Sequence, residues 1–196
     1  MYEKLNITEN SMKVLSLFTH DFTREYYIRE VQKILKISPR TAQLILEDLE
    51  KKGIVESKTK GKIKTYKLNA SELTKRYLVF AEQYKALIFL KEKLIIREII
   101  ERITPYIKGI GIVFGSYVKG LEQPNSDLDI LIIGEHNEEQ IQKISKTLRV
   151  EISIKNYPKK IFEEKHRKDI LLKEVMKNHV VFKGSEQFIE GVFKNE

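Results

Sequence analysis

Apolar positions recur at helical spacing through Met12, Val14, Leu15, Leu17 and Phe18, and Thr8 is placed to cap that helix. A second helix is expected after Thr23, carrying Tyr27, Ile28, Val31, Ile34 and Leu35. A third is expected from Ser38 to about Lys52. Ser38 suits its N-cap and Pro39 its first position, and Ala42, Leu44, Ile45 and Leu49 form its inner face. Gly53 ends it. The period then falls to two. Residues 54–57 read as a short strand, and residues 62–68 alternate charged and apolar side chains, with Gly61 at the turn between them.

Residues 71–104 contain neither Gly nor Pro. Leu73, Tyr77, Phe80, Ala81, Tyr84, Leu87 and Ile88 keep helical spacing, as do Ile96, Ile99, Ile100 and Ile103, and Pro105 stops the run. The stretch is either two abutting helices or one long helix. Its first half packs within its own chain or offers contacts for a homodimer. From Lys108 strands and helices alternate. Residues 110–114 form a strand, Asp127 opens a second through Ile133, Asn137 caps a helix to Leu148, and residues 149–154 form a third strand. A helix from Pro158 through Phe162, helical spacing over residues 168–176, and a short edge strand over residues 179–182 follow.

The expected class is therefore α+β, in three segments: residues 5–70, three helices and a β-hairpin; residues 71–95, a connecting helix; residues 96–196, a small mixed sheet flanked by helices. Composition fits a folded chain, with 41% hydrophobic and 33% charged residues. The absence of cysteine excludes disulfides and thiolate zinc sites. His20, His136, His166 and His179 form no pair at helical spacing and read as surface or packing residues. The polar N-terminus shows no secretory pattern, and no long apolar run is present, so the expected location is cytoplasmic, with no membrane partner. Net charge is +8, and residues 1–70 carry 14 basic against 9 acidic side chains. That excess suits a polyanionic partner.

The chemistry concentrates in one stretch, GSYVKGLEQPNSDLDILII. On a strand, residues two apart share a face, so Asp127 and Asp129 project side by side while Leu128 and Ile130 face away. Two adjacent carboxylates repel unless a cation neutralises them, and hard oxygen ligands suit Mg²⁺. Gly115 lets the backbone approach a phosphate, and Ser116 adds a hydroxyl and an amide. Lys119 adds positive charge a turn later, and Ser126 joins them as a nucleotide-binding candidate. Glu151 interrupts an apolar strand and can bring a third carboxylate to the same metals.

Gly115-Ser116, a ten-residue spacer, Asp127-Leu128-Asp129 and a distal acid resemble the signature of the DNA polymerase β-like nucleotidyltransferase superfamily, above all its minimal group. The resemblance covers about residues 96–154. Two departures stand out: Lys119 occupies a place where the group often has Arg, and the third acid is Glu151 where Asp is commoner. The resemblance implies transfer of a nucleoside monophosphate, with ATP the expected donor, to an acceptor hydroxyl. Asp127, Asp129 and Glu151 would be catalytic and would ligate two Mg²⁺ ions; Gly115, Ser116, Lys119 and Ser126 would hold the nucleotide. It also implies that the acceptor could be a protein side chain, as in members that modify a toxin partner. A small molecule is the other option.

Residues 8–69 resemble the winged-helix DNA-binding domains of bacterial and archaeal transcriptional regulators. Arg40, Thr41 and Gln43 would then lie near the start of the recognition helix, and Lys58, Lys60, Lys62 and Lys64 on the wing would meet the phosphates of double-stranded DNA. A solvated lysine-rich hairpin is the plainer reading of the same residues. The alternative to an enzyme is a non-catalytic regulator that uses the nucleotidyltransferase fold to sense a nucleotide or to dimerise.

Overall fold

Thr8 does cap the first helix. Its hydroxyl accepts from the Ser11 amide at 3.1 Å, and the Ser11 hydroxyl accepts from the Thr8 amide at 2.8 Å, a reciprocal capping box. The computed structural model describes residues 7–194 of the chain; residues 5–6 and 195–196 of the expected segments lie outside them, as does the side chain of Lys60. The described residues form ten α-helices and two small sheets, an α+β chain. The chain divides into two compact units, one through Ala81 and one from Glu82 onward.

In the first unit, α1 (Glu9–His20), α2 (Ile28–Leu35) and α3 (Pro39–Lys51) precede a hairpin of β2 (Val55–Lys60) and β3 (Ile63–Leu68). That is the winged helix-turn-helix order. Ser38 caps α3 through the Thr41 amide at 3.0 Å, with Pro39 directly after it. The inner face of α3 is Ala42, Leu46 and Leu49, and Leu44 is 48% exposed, a correction to the expected face. Positions four and three apart stack on one side of a helix, whereas Leu44 lies about 200° round from Ala42.

A second correction concerns Tyr27. Tyr26–Tyr27 is a short strand, β1, pairing with β3 in a sheet of order β1-β3-β2, and α2 begins only at Ile28. The buried Tyr26 donates to the Leu17 carbonyl at 3.0 Å and meets the Phe18 ring edge-on. These distant contacts outweigh a helical rhythm that local spacing supports.

The run after residue 71 is two helices. α4 (Glu72–Glu92) carries the chain from one unit into the other, and Lys93, off helical geometry, separates it from α5 (Leu94–Ile103). After a 3₁₀ turn (Thr104–Tyr106) come β4 (Ile107–Val113), α6 (Ser116–Lys119), β5 (Leu128–His136), α7 (Glu138–Leu148), β6 (Ile152–Tyr157), α8 (Lys159–Lys165), α9 (Ile170–Lys177), β7 (Val180–Lys183) and α10 (Ser185–Phe193). Sequence reading did not anticipate α10. The expected third strand begins at Ile152, later than position 149, because Arg149 takes a left-handed conformation (φ 54°) that closes α7.

The second sheet runs β6-β5-β4-β7, with β5 and β6 parallel and the other pairs antiparallel. Leu128, Ile130, Ile132 and Ile152 pack with Ile96, Ile99, Ile103 and Ile141 of α5 and α7. On the opposite face, α8 and α10 pack on β5 and β4, with Phe162 and Phe188 stacked at 5.7 Å. Coverage on both faces explains why β5 reads as a continuous apolar run after Asp129.

Candidate active site

Gly115 has φ 76° and ψ −148°, a conformation open to glycine alone, and a Cβ there would collide with the Asp129 carboxylate. The turn after β4 is thus pressed against the acidic strand. The Phe114 amide donates to the Asp129 carbonyl at 3.1 Å, which carries the β4–β5 pairing to the edge of the site. Ser116 and Lys119 begin and end α6, a single turn closed by Gly120. A single turn sums few peptide dipoles, so an anion placed here would be held by close backbone approach and side chains more than by a macrodipole.

The loop to Asp127 is internally fastened. The Ser126 hydroxyl accepts from the Gln123 amide at 2.8 Å, the Ser126 amide donates to the Gln123 carbonyl at 2.9 Å, and the Tyr117 hydroxyl donates to the Ser126 carbonyl at 3.2 Å. The hydroxyl of Ser126 therefore helps to shape the loop that delivers Asp127.

Asp127 is exposed and Asp129 half-buried. The Asp129 carboxyl is held above its ordinary range, first by burial and then by the negative charge of Asp127, while Lys155 acts in the opposite sense. Neither carboxylate has a hydrogen-bonded or ion-paired partner among the described residues. The pair is two like charges to which no cationic side chain is bonded among the described residues, and it fits Mg²⁺, which one or two carboxylates and substrate phosphates hold together.

Glu151 does not interrupt a strand; it precedes β6. Its carbonyl accepts from the Leu128 amide at 2.8 Å. Leu128 pairs with Ile152 in parallel register, so one residue back Glu151 lies across from Asp127. Its side chain is exposed, and among the described residues no three acids or histidines gather closely enough to hold a metal ion. The backbone brings the third acid beside the first without a three-carboxylate cluster.

Sequence reading missed Lys155. It pairs with Leu131 on the parallel strand, so it shares a face with Asp129 two residues earlier. The signal was available: Glu151, Ser153 and Lys155 alternate at a spacing of two.

In the first unit, Arg40, Thr41 and Gln43 occupy the first turns of α3. Thr41 shares a hydroxyl contact with Ser38 at 2.8 Å, and Gln43 donates to Glu47 at 2.8 Å. Lys58 and Lys62 are exposed. Lys64 pairs with Glu50 at 2.7 Å and Lys67 with Glu56 at 2.8 Å. The wing's net charge is thus reduced by acids from α3 and β2.

No helix among the described residues is long and apolar enough to cross a membrane. No curated protein matches the chain. Two solved structures are similar at low identity. Reduced HlyU from Vibrio cholerae N16961 is 18% identical over 39% of this chain and 78% of that one, with a TM-score of 0.34. TrmBL2, described as an archaeal chromatin protein with a novel mode of DNA binding, is 16% identical over 88% of this chain and 71% of that one, with a TM-score of 0.30. Residues 93–183, which run from the start of α5 to the end of β7 and contain Gly115, Ser116, Asp127, Asp129 and Glu151, match the family model described as the nucleotidyltransferase domain.

Proposed function

We propose that the C-terminal unit transfers a nucleoside monophosphate from a nucleoside triphosphate, ATP as the leading donor, to an acceptor hydroxyl. The observation that carries this reading is the adjacent, like-charged Asp127/Asp129 pair with the Gly115 backbone against it. In the reaction the acceptor oxygen forms a bond to the α-phosphorus. The bond from that phosphorus to the bridging oxygen breaks, and pyrophosphate leaves with the electron pair. The acceptor proton passes to a carboxylate, and Glu151, exposed and across from Asp127, is the residue assigned to take it. Asp127 and Asp129 would hold Mg²⁺, which supplies electrophilic stabilisation of phosphate charge. Gly115, Ser116 and Lys119 hold the triphosphate. A protein side chain and a small molecule are both acceptors of the right chemistry. The N-terminal unit brings the enzyme to double-stranded DNA through α3 and the exposed lysines of the wing.

The test is incubation with Mg²⁺ and ATP labelled at the α-phosphate, in the presence of candidate acceptors. Label transfer that disappears in Asp127→Ala and Asp129→Ala supports the enzyme. A chain that binds no nucleotide at millimolar ATP but binds duplex DNA in a salt-sensitive way is instead a regulator. The exposed Lys58 and Lys62 of the wing are the observation behind that second reading.

A further inference from the structure

We propose that Lys155 is a direct ligand of the transferred phosphoryl group, gripping the nucleotide from the side of the acidic pair opposite the Gly115-Ser116 turn. The inference rests on the nucleotidyltransferase reading above and names a residue of that site. Sheet order places β5 between β4 and β6. Gly115 follows β4 and reaches Asp129 from one side, while Lys155 stands on β6 on the other. A substrate lying over Asp129 is therefore flanked by a backbone turn and an ammonium group. The register sets Lys155 two residue pairs beyond Asp129, a step of about 6.7 Å along the strand that the four-carbon stem of lysine can cover.

Several lysines of the C-terminal unit are held by partners, and the exposed Lys155 is not one of them. In this unit Lys93 pairs with Glu122, Lys143 with Glu139, Lys177 with Glu174 and Lys194 with Glu163. Lys183 donates to the carbonyls of Thr104 and Ile107. Lys155 has no hydrogen bond or ion pair with any described residue, although its charge acts on Asp129 across the strands. A cation aligned with two carboxylates, yet bonded to neither, remains available to an anion. Its compact charge suits a phosphoryl oxygen. With Mg²⁺ held by the carboxylates, their pull on the ammonium would fall and a phosphate oxygen would be its better partner.

The experiment uses the full chain and two probes, Mg²⁺-ATP and adenosine, measured by titration calorimetry beside thermal melting. Lys155→Ala and Lys155→Gln are expected to weaken Mg²⁺-ATP binding about tenfold, to leave adenosine binding unchanged and to melt with the wild type. Lys155→Arg should recover part of the loss, because it restores charge. Where an acceptor is in hand, kcat should fall more than KM rises. The proposal is overturned if Lys155→Ala binds Mg²⁺-ATP as the wild type does while Lys119→Ala binds it less well. That result would leave the nucleotidyltransferase reading standing. A wild-type chain that binds no Mg²⁺-ATP overturns both.

Discussion

Glu82 and Asp129 are both acids removed from water in the C-terminal unit, and their surroundings push them in opposite directions. Glu82 is fully buried on α4, where Lys85 donates to it at 2.9 Å and His179 lies at 3.2 Å. Burial alone would raise its carboxyl, but Lys85 and His179 more than offset that and hold it well below the ordinary range. Asp129 has the reverse balance: burial and the charge of Asp127 raise it, and the opposing effect of Lys155 does not reverse the shift. Burial with matched counter-charges marks an interaction that belongs to the fold. Partial burial beside a like charge marks a place where a ligand completes the electrostatics.

The comparison can be broken most sharply at the acidic pair. Asp127→Ala and Asp129→Ala should each lower α-label transfer by at least about 100-fold with the fold retained, measured against circular dichroism. Undiminished transfer would move the chemistry elsewhere. The next largest effect belongs to Glu82→Ala, which leaves Lys85 buried without its acid. Denaturant unfolding at neutral pH should show a loss of about 3–5 kcal/mol. Because the Glu82 carboxyl is depressed in the folded state, its stabilisation is present above the ordinary carboxylate range and is lost as pH falls through the native value. The gap between wild type and Glu82→Gln should therefore narrow in acid.

Asp129→Asn tests the opposite sign. Its raised carboxyl costs stability as pH rises through the native value, so the asparagine variant should melt modestly higher at neutral pH in the presence of a chelator. The advantage should vanish in acid and shrink when Mg²⁺ is added. A variant that melts lower at neutral pH would show that Asp129 is a structural carboxylate. The smallest effects are expected at the wing. Lys62→Ala should reduce the slope of log affinity for duplex DNA against log salt by about 0.9, the share of one phosphate contact. Lys64→Ala should do less, since Lys64 is already paired with Glu50. A larger loss at Lys64 than at Lys62 would mean that the Glu50 pair opens on DNA.

Caps and turns were legible in the chain because they depend on neighbours three or four residues away. Thr8, Ser38 and Asn137 cap the helices that their positions imply, each through an amide three residues on. Asp127, one residue before β5, and Asp129 within it are of the same kind, since their adjacency comes from a spacing of two.

Pairing across elements was not legible. Local rhythm placed Tyr27 in a helix; only β3, some forty residues on, draws Tyr26–Tyr27 into a strand. His179 read as an ordinary packing residue, and its partner Glu82 lies 97 positions earlier. Glu151 and Lys155 flank the acidic strand because β6 pairs in parallel with β5 at one register, and a slip of one residue would turn both to the other face. By itself the sequence determined most of the helices, though not α10, and the hairpin and the side-by-side carboxylates, since these follow from short-range geometry. Only the tertiary structure decided which charges meet a partner and which wait for one, because that depends on burial and distance between segments that the chain keeps far apart.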